Sequence, residues 1–279
     1  MTAPVRTRWG RVGTFGLWTW AVLGFVFLFT PIVVSVLFSF NEPTGKYNYI
    51  WNRFSLSAWT NPFEYEDLTK SLRYSLLIAV IVTAIATVIG TLMGLALVKY
   101  RFRAKGVLST ILILPLTMPE IVMGFSLLSL FVAMDVTRNM WTIVIAQVVF
   151  SISYVATTVR ARIRGFDWRL EEAALDLGAS PVRTFMRVTL PLILPGVVAA
   201  ALLTFALSLD DFIITYLNSG LENTFPIQIW NMKRSRIPVQ INVFSTAILV
   251  VSILFAITVV VAGHRRERRL ATRSARIVD

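Results

Sequence analysis

The chain has 279 residues, of which 56% are hydrophobic and only 15% are charged. Soluble proteins carry about 25% charged residues, so this composition excludes a soluble or disordered protein and predicts an integral membrane protein. The net charge of +12 is then expected to come from basic cytoplasmic loops and not from nucleic-acid binding. The chain contains no cysteine and one histidine, His264 in a basic tail, so we expect no disulfide and no cysteine- or histidine-based metal site.

Six segments are apolar over the roughly 20 residues that a membrane-spanning helix needs. In chain order, the predicted spans are 13–38, 74–98, 107–134, 140–159, 192–217 and 243–262. Lysine and arginine are concentrated in the two tails and in the even-numbered loops, which places both termini in the cytoplasm. We therefore predict an all-α membrane protein with a cytoplasmic tail (1–12), a six-helix transmembrane domain (13–263) and a basic cytoplasmic tail (264–279).

Three carboxylates, those of Glu120, Asp210 and Asp211, fall inside the predicted spans. An ionised carboxylate at the centre of a span costs about 2.5 to 3.5 kcal/mol, so such groups usually face a bundle interior or a water-filled cavity. No lysine or arginine lies inside a span to pair with them, which favours a path for a cation. Pro115 and Pro119 predict that the third span is broken just before Glu120.

Polar residues recur at helical spacing in the fourth and fifth spans. As one continuous helix, the fifth span would place Asp211 on a polar stripe and Asp210 about 100° away, beside leucines. We therefore interpret Asp211 as lining a path and Asp210 as bonded to a neighbouring helix. The predicted substrate path comprises Glu120, Asp211, Asp210, Ser208, Gln147 and Tyr154. Alternatively, the polar stripes hold the helices together. A stripe of small residues in the second span, which includes Gly90 and Gly94, is predicted to pack against another helix.

The loop between the fourth and fifth spans, about residues 160–191, is predicted to be cytoplasmic and to contain two short helices at an angle. Asp167 can cap the first and Gly178 can end it, and Ser180 with Pro181 can begin the second. The first helix is amphipathic. Its apolar stripe comprises Leu170, Ala173, Ala174 and Leu177, and its acidic face comprises Glu171, Glu172 and Asp176.

Part of this loop resembles the EAA loop of ATP-binding-cassette (ABC) importer permeases. The matching residues are Glu172, Ala173, Ala174, Gly178, Val188, Leu190 and Pro191, with valine at 188 where the family has isoleucine. The resemblance implies a type I ABC importer permease fold. It also implies that Glu172, Ala173, Ala174, Gly178, Leu190 and Pro191 transmit the motion of an ATPase subunit. This chain has no phosphate-binding motif for ATP, so ATP and magnesium are expected on that partner, and no cofactor or metal is expected on the chain.

Other segments resemble the permeases that import spermidine and putrescine. They are 114–123 in the third span, 205–212 with its Ser-Leu-Asp-Asp sequence, and 225–230 and 238–242 near the last external loop. The resemblance implies a polyamine substrate and a location in the bacterial plasma membrane. It also implies a second, similar permease, two cytoplasmic ATPase subunits and an external binding protein as partners.

Three alternatives remain at this stage. One is an importer permease for another small solute. Another is a stand-alone secondary transporter or channel that uses Glu120 and Asp211 as a cation relay. The third, a membrane enzyme, is disfavoured because the sequence offers no convincing pair of nucleophile and base.

Overall fold

A computed structural model of the protein describes residues 8–255 and 257–258, and there the secondary structure is helical apart from two isolated β-bridges. The helices are α1 (Arg8–Phe38), α2 (Ser57–Thr60), α3 (Glu66–Lys99), α4 (Lys105–Thr117), α5 (Glu120–Ala133), α6 (Met140–Ile163), α7 (Arg169–Asp176), α8 (Pro181–Thr184), α9 (Leu190–Asp210), α10 (Ile213–Asn218), α11 (Phe225–Met232) and α12 (Val239–Phe255). A π-helical stretch, Phe185–Thr189, connects α8 to α9.

Four of the described helical segments are long and apolar enough to cross a membrane, and a fifth span is counted if α4 and α5 are taken together. These results confirm an all-helical membrane protein. Helix α12 is shorter, and the predicted span 243–262 continues beyond the described residues. Six spans and cytoplasmic termini therefore stay predictions. The tail 264–279 lies outside the described part of the chain, and α1 already begins at Arg8, inside the predicted tail 1–12.

The third span is broken where its prolines predict a break. Helix α4 ends at Thr117, Met118 and Pro119 are extended, and α5 leaves at an angle of 113°. The ring of a proline disfavours helical geometry in the residue before it, which accounts for the extended Met118. Pro115 stays inside α4, so Pro119 marks the break.

The fifth span is also broken, which corrects the prediction of a continuous helix over 192–217. Helix α9 ends at Asp210, Asp211 is extended with ψ of 119°, and α10 begins at Ile213. The Asp211 carboxylate accepts hydrogen bonds from the backbone N–H groups of Ile214, at 3.4 Å, and Thr215, at 2.8 Å. The first N–H groups of a helix lack partners within it, so this carboxylate stabilises the start of α10 directly after the break.

Residues 67–231 form one compact unit, whose core lies where α3, α6 and α9 meet. Ala86 and Leu95 of α3 pack there with Val159 of α6 and Ile193 and Ala200 of α9, all buried. The two glycines of α3 sit against α6, as the small-residue stripe predicts. A Cβ atom on Gly90 would lie 2.6 Å from Cβ of Val155, and one on Gly94 would lie 3.0 Å from the carbonyl oxygen of Ala156.

Replacing Gly90 by alanine is expected to destabilise the protein by about 1–3 kcal/mol. The added methyl group would overlap Val155, which is fully buried and branched and has no free space into which to move. Gly106→Ala is the matched control, because a Cβ there meets nothing within 4 Å and alanine favours a helix. Thermal unfolding of the detergent-solubilised protein measures both. A Gly90→Ala variant as stable as the control would contradict this packing.

The loop before α9 contains the predicted turns but only one separate short helix. Asp167 Oδ1 accepts from the backbone N–H of Arg169 at 3.1 Å, and Gly178 ends the turn after α7 in the left-handed region, at φ of 81°. Ser180 caps α8, as expected. The second helix is not short, however, because α8 continues through the π-helical stretch into α9.

Residues 8–66 and 232–255, with 257–258, belong to a second unit. In it, the indole of Trp59 stacks on Phe40 with centroids 5.5 Å apart and donates to Ser39 Oγ at 3.3 Å. Gln240 donates to the Glu64 carboxylate at 2.7 Å. The apolar part of α1, from Gly16, has no buried residue in its most apolar window. A helix that is apolar on all sides is typical of a membrane span.

Candidate functional site

The two helix breaks of residues 67–231 occur in helices that pack on each other. A Cβ atom on Gly124 of α5 would lie 3.5 Å from Cα of Ile214 in α10. The amide of Asn218 donates to the carbonyl oxygen of Gly124 at 3.2 Å. Broken helices at membrane depth are tolerated where they line a cavity or are buried in protein, and they often form transport sites. We define the break site as residues 118–120 at the first break and residues 210–212 at the second.

A buried polar network fixes the break site from the side of α6. The Gln147 amide donates to Asp211 Oδ2 at 3.2 Å and to Thr215 Oγ1 at 2.8 Å, and its oxygen accepts from Ser208 Oγ. Gln147 and Ser208 are buried. The network thus joins α6, α9 and α10, so the polar stripes bind these helices together, which is the alternative weighed from the sequence. A path role for Gln147 and Ser208 stays a prediction.

The structure gives the two neighbouring aspartates different surroundings. Asp211 is partly buried, and its carboxylate accepts from Gln147, from two backbone N–H groups and from the Thr215 hydroxyl. Asp210 is exposed and, within residues 8–255, its carboxylate makes no hydrogen bond to a neighbouring helix. Because α9 ends at Asp210 and Asp211 is extended, the two residues are not successive positions of one helix, and the path roles of both stay predictions.

Glu120 is exposed at the first residue of α5. Its carboxylate is close enough to those of Asp210 and Asp211 to be repelled by their negative charges. Glu120 and Asp210 are thus the two exposed carboxylates of the break site, whereas the Asp211 carboxylate is engaged by its hydrogen-bond donors. Neither forms an ion pair with any residue that the structure describes.

A group of aromatic rings begins just after Asp210 in the chain. Phe212, the second residue after Asp210, stacks on Tyr216 with centroids 5.4 Å apart and contacts Trp230 at 5.6 Å. This group was missed in the sequence, although the spacing of Phe212 and Tyr216 places them on one side of a helical turn. Tyr154, a predicted path residue, packs instead against Phe150 with centroids 4.9 Å apart, beside buried Met123 and Ile214.

The second candidate surface is the outer face of α7 and the turn after it. Glu172 and Ala173 are exposed, Ala174 is partly buried, and Gly178 is exposed at the turn. Exposed apolar side chains continue this face, with 89% of Leu177 and 73% of Val182 accessible. Contiguous exposed apolar surface is typical of an interaction site. Leu190 and Pro191 lie apart from it, at the start of α9, where Leu190 packs on the core.

The acidic face of α7 is not uniformly solvent-exposed. Glu171 is buried, whereas Leu170 of the apolar stripe is 49% exposed. The helix therefore turns part of its apolar stripe outward.

Among the described residues, no group of three or more histidine, cysteine, aspartate or glutamate side chains could hold a metal ion.

Residues 86–271 match the family model described as the inner membrane component of binding-protein-dependent transport systems. The chain is 35% identical over 234 residues to the spermidine/putrescine transport system permease protein PotC of Haemophilus influenzae, covering 84% of this chain and 90% of PotC. It is 36% identical over 236 residues to the putrescine transport system permease protein PotI of Escherichia coli, covering 82% and 83%.

The fold is similar to that in the crystal structure of a bacterial ABC transporter involved in the import of the acidic polysaccharide alginate. The TM-score is 0.65, the identity is 17%, and the match covers 92% of this chain and 98% of that chain. The likeness at this identity concerns the fold alone. Together with the family match, it shows that the chain belongs to the inner membrane components of binding-protein-dependent transport systems, as a multi-pass permease subunit of an ABC importer.

Proposed function

We propose that this chain is one of the two permease subunits of an importer that moves polyamines, such as spermidine and putrescine, into the cytoplasm. The observation that carries the proposal is the pair of exposed carboxylates, Glu120 and Asp210, beside the helix breaks and without an ion-pair partner among the described residues. Polyamines are linear chains of methylene groups and ammonium groups. Carboxylates bind ammonium strongly, and aromatic faces such as that of Trp230 attract cations.

The relatives support the same substrate class. The named transport systems of PotC and PotI carry putrescine, and in one case spermidine as well. An anionic solute would be repelled by the uncompensated charge of Glu120 and Asp210. A neutral solute would leave that charge unpaired on binding, which is unfavourable where water is excluded. A cationic solute neutralises the charge and is therefore preferred.

The proposal includes the partners that such a permease needs. They are a second, similar permease, two cytoplasmic ATPase subunits and an external substrate-binding protein. ATP binding closes the ATPase subunits and moves the segment that contains Glu172. The permease pair then opens outward and receives the solute from the binding protein, and hydrolysis restores the inward-facing state. ATP and magnesium bind to the ATPase subunits, and this chain contributes the path and the contact surface.

The test is uptake of labelled spermidine and putrescine into proteoliposomes that contain this chain, the neighbouring permease and the ATPase, with the binding protein on the substrate side. We expect saturable uptake that requires ATP. Hydrolysis of ATP that is stimulated by the binding protein without polyamine uptake would retain the importer and reject the substrate. Uptake at the same rate without the ATPase would instead support a stand-alone transporter.

A further inference from the structure

A partly buried charged cluster lies beneath α7, on the side opposite its exposed face, with Glu171 buried and the Lys99 side chain 33% exposed. The Glu171 carboxylate is 10% exposed and pairs through Oε1 with the ammonium of Lys99, the last residue of α3. Its other oxygen, Oε2, accepts from Thr189 Oγ1 at 3.1 Å. Thr189 is buried and ends the π-helical stretch that leads into α9. One side chain of α7 is thus bonded to both α3 and the start of α9.

The Lys99 end of the cluster is held by aromatic rings. The Lys99 ammonium lies 5.8 Å from the centroid of the Trp168 ring and 5.5 Å from that of Tyr100, within reach of cation–π attraction. Trp168 directly precedes α7 and contacts Phe166 with centroids 4.7 Å apart, and both rings pack on the core of α3, α6 and α9. These contacts favour a position of the Lys99 ammonium close to the core of α3, α6 and α9.

Glu171 is the buried member of this ion pair, and Lys99 reaches the surface. The contact is directional, because moving α7 away from Lys99 would leave the buried Glu171 carboxylate without its ionic partner, which is unfavourable. Apolar contacts alone would let α7 slide over its neighbours at small cost. The Glu171 contacts instead require α7, the end of α3 and the start of α9 to move together.

We propose that Glu171 is a positioning residue that transmits the displacement of α7 to α3 and α9 through Lys99 and Thr189. This inference rests on the proposed function, in which the outer face of α7 contacts an ATPase subunit. The two neighbouring glutamates of α7 are assigned different roles because they differ in exposure. Glu172 and Ala173 face outward toward the partner, and Glu171 faces inward toward the spans. Without the Glu171 contacts, α7 binds the ATPase but moves independently of the path.

Three variants test the proposal in the assembled transporter in proteoliposomes. They are Glu171→Gln, the charge exchange Lys99→Glu/Glu171→Lys, and the apolar pair Lys99→Met/Glu171→Leu. The readouts are co-purification of the ATPase, ATP hydrolysis and solute imported per ATP hydrolysed. We expect Glu171→Gln to retain the ATPase and to lower the import per ATP about tenfold. The charge exchange should restore most of that loss, because it rebuilds the pair and leaves Thr189 a polar partner.

The apolar pair separates coupling from folding. The apolar pair removes both charges together and leaves no buried carboxylate without a partner, so this variant should fold even if Glu171→Gln does not. We expect it to remain uncoupled. The proposal would be overturned if the apolar pair imported as much solute per ATP as the unmodified protein. It would also be overturned if the charge exchange imported no more solute per ATP than Glu171→Gln. The matched controls are Asp167→Asn, which keeps its capping oxygen, and Arg103→Gln. Both positions are exposed, and both variants should import normally.

The same experiment distinguishes this inference from the proposed substrate. If the unmodified transporter imports no polyamine, the substrate proposal fails, and stimulation of ATP hydrolysis by the solute-loaded binding protein serves as the coupling readout. Loss of that stimulation in Glu171→Gln, with recovery in the charge exchange, then still supports the role of Glu171. Unchanged stimulation in every variant would reject it.

Discussion

Replacing Glu172 by lysine is expected to abolish ATP-driven uptake while leaving the chain folded in the membrane. Glu172 is exposed on α7, next to the exposed apolar surface around Leu177 and Val182. Reversing a charge at the centre of an interface costs about 2–5 kcal/mol when its partner is left unpaired. We therefore expect the amount of ATPase that co-purifies with the variant to fall by at least about tenfold, which corresponds to about 1.4 kcal/mol.

The control for Glu172→Lys is a charge reversal of an exposed acidic residue away from α7. Asp67, near the other end of α3 from Lys99, is exposed and suits this purpose. Asp67→Lys should retain the ATPase at the normal ratio. The assignment of α7 as the ATPase contact would be wrong if Glu172→Lys kept both the bound ATPase and normal uptake. A Glu172→Lys chain that failed to reach the membrane would be replaced by Glu172→Gln, for which a smaller loss in the same direction is expected.

Removing the two accessible carboxylates, in the double variant Glu120→Gln/Asp210→Asn, is expected to lower the uptake of spermidine by at least about tenfold. A hydrogen bond to a charged group contributes about 1.5–3 kcal/mol, so the loss of two such contacts to ammonium exceeds this factor. Both side chains are exposed, and the substitutions change neither size nor shape. The thermal midpoint of the purified protein should therefore stay the same, and the initial uptake rate at low polyamine concentration measures the effect.

Asp211→Asn is the comparison that separates transport from folding at this site. An asparagine retains one acceptor oxygen but loses the charge that accepts from Gln147, Thr215 and the first turn of α10. We expect a lower thermal midpoint and a smaller specific effect on uptake per folded transporter. A larger loss of uptake in Asp211→Asn than in Asp210→Asn, at equal stability, would support the role that the sequence alone suggested.

The sequence predicts the first helix break and misses the second for a physical reason. Proline acts through its own ring, so Pro119 indicates a break whatever surrounds it. At Asp211 the chain has no proline or glycine, and the break depends on tertiary hydrogen bonds to Gln147, which is distant in the sequence. The only local signal is that aspartate is favoured just before the first turn of a helix. The regular spacing of Thr204, Ser208 and Thr215 instead favoured the prediction of one continuous helix.

The turns of the loop before α9 were predictable, but the orientation of α7 was not. Asp167, Gly178 and Ser180 act through local backbone chemistry, which depends only on neighbouring residues. Which side of α7 faces inward depends on what lies beneath it. Here that is Lys99, 72 residues earlier in the chain, and a buried carboxylate cannot be told from an exposed one without knowing its partner. Periodicity also assumes that an apolar stripe faces the core, and a surface that binds another protein violates this assumption.

Because of the π-helical stretch, the number of residues between Ser180 and Thr189 determines how the helices on either side are rotated relative to each other. A π-helical turn holds more residues than an α-helical turn. If one residue of Phe185–Thr189 were deleted, the stretch would relax to an α-helix, and the residues on one side of it would rotate by about 100° relative to those on the other. Such a deletion removes no side chain of the break site and none of the outer face of α7. It would nevertheless turn Thr189 away from Glu171 or rotate α9 within its packing, so the residue count of this segment is itself part of the mechanism.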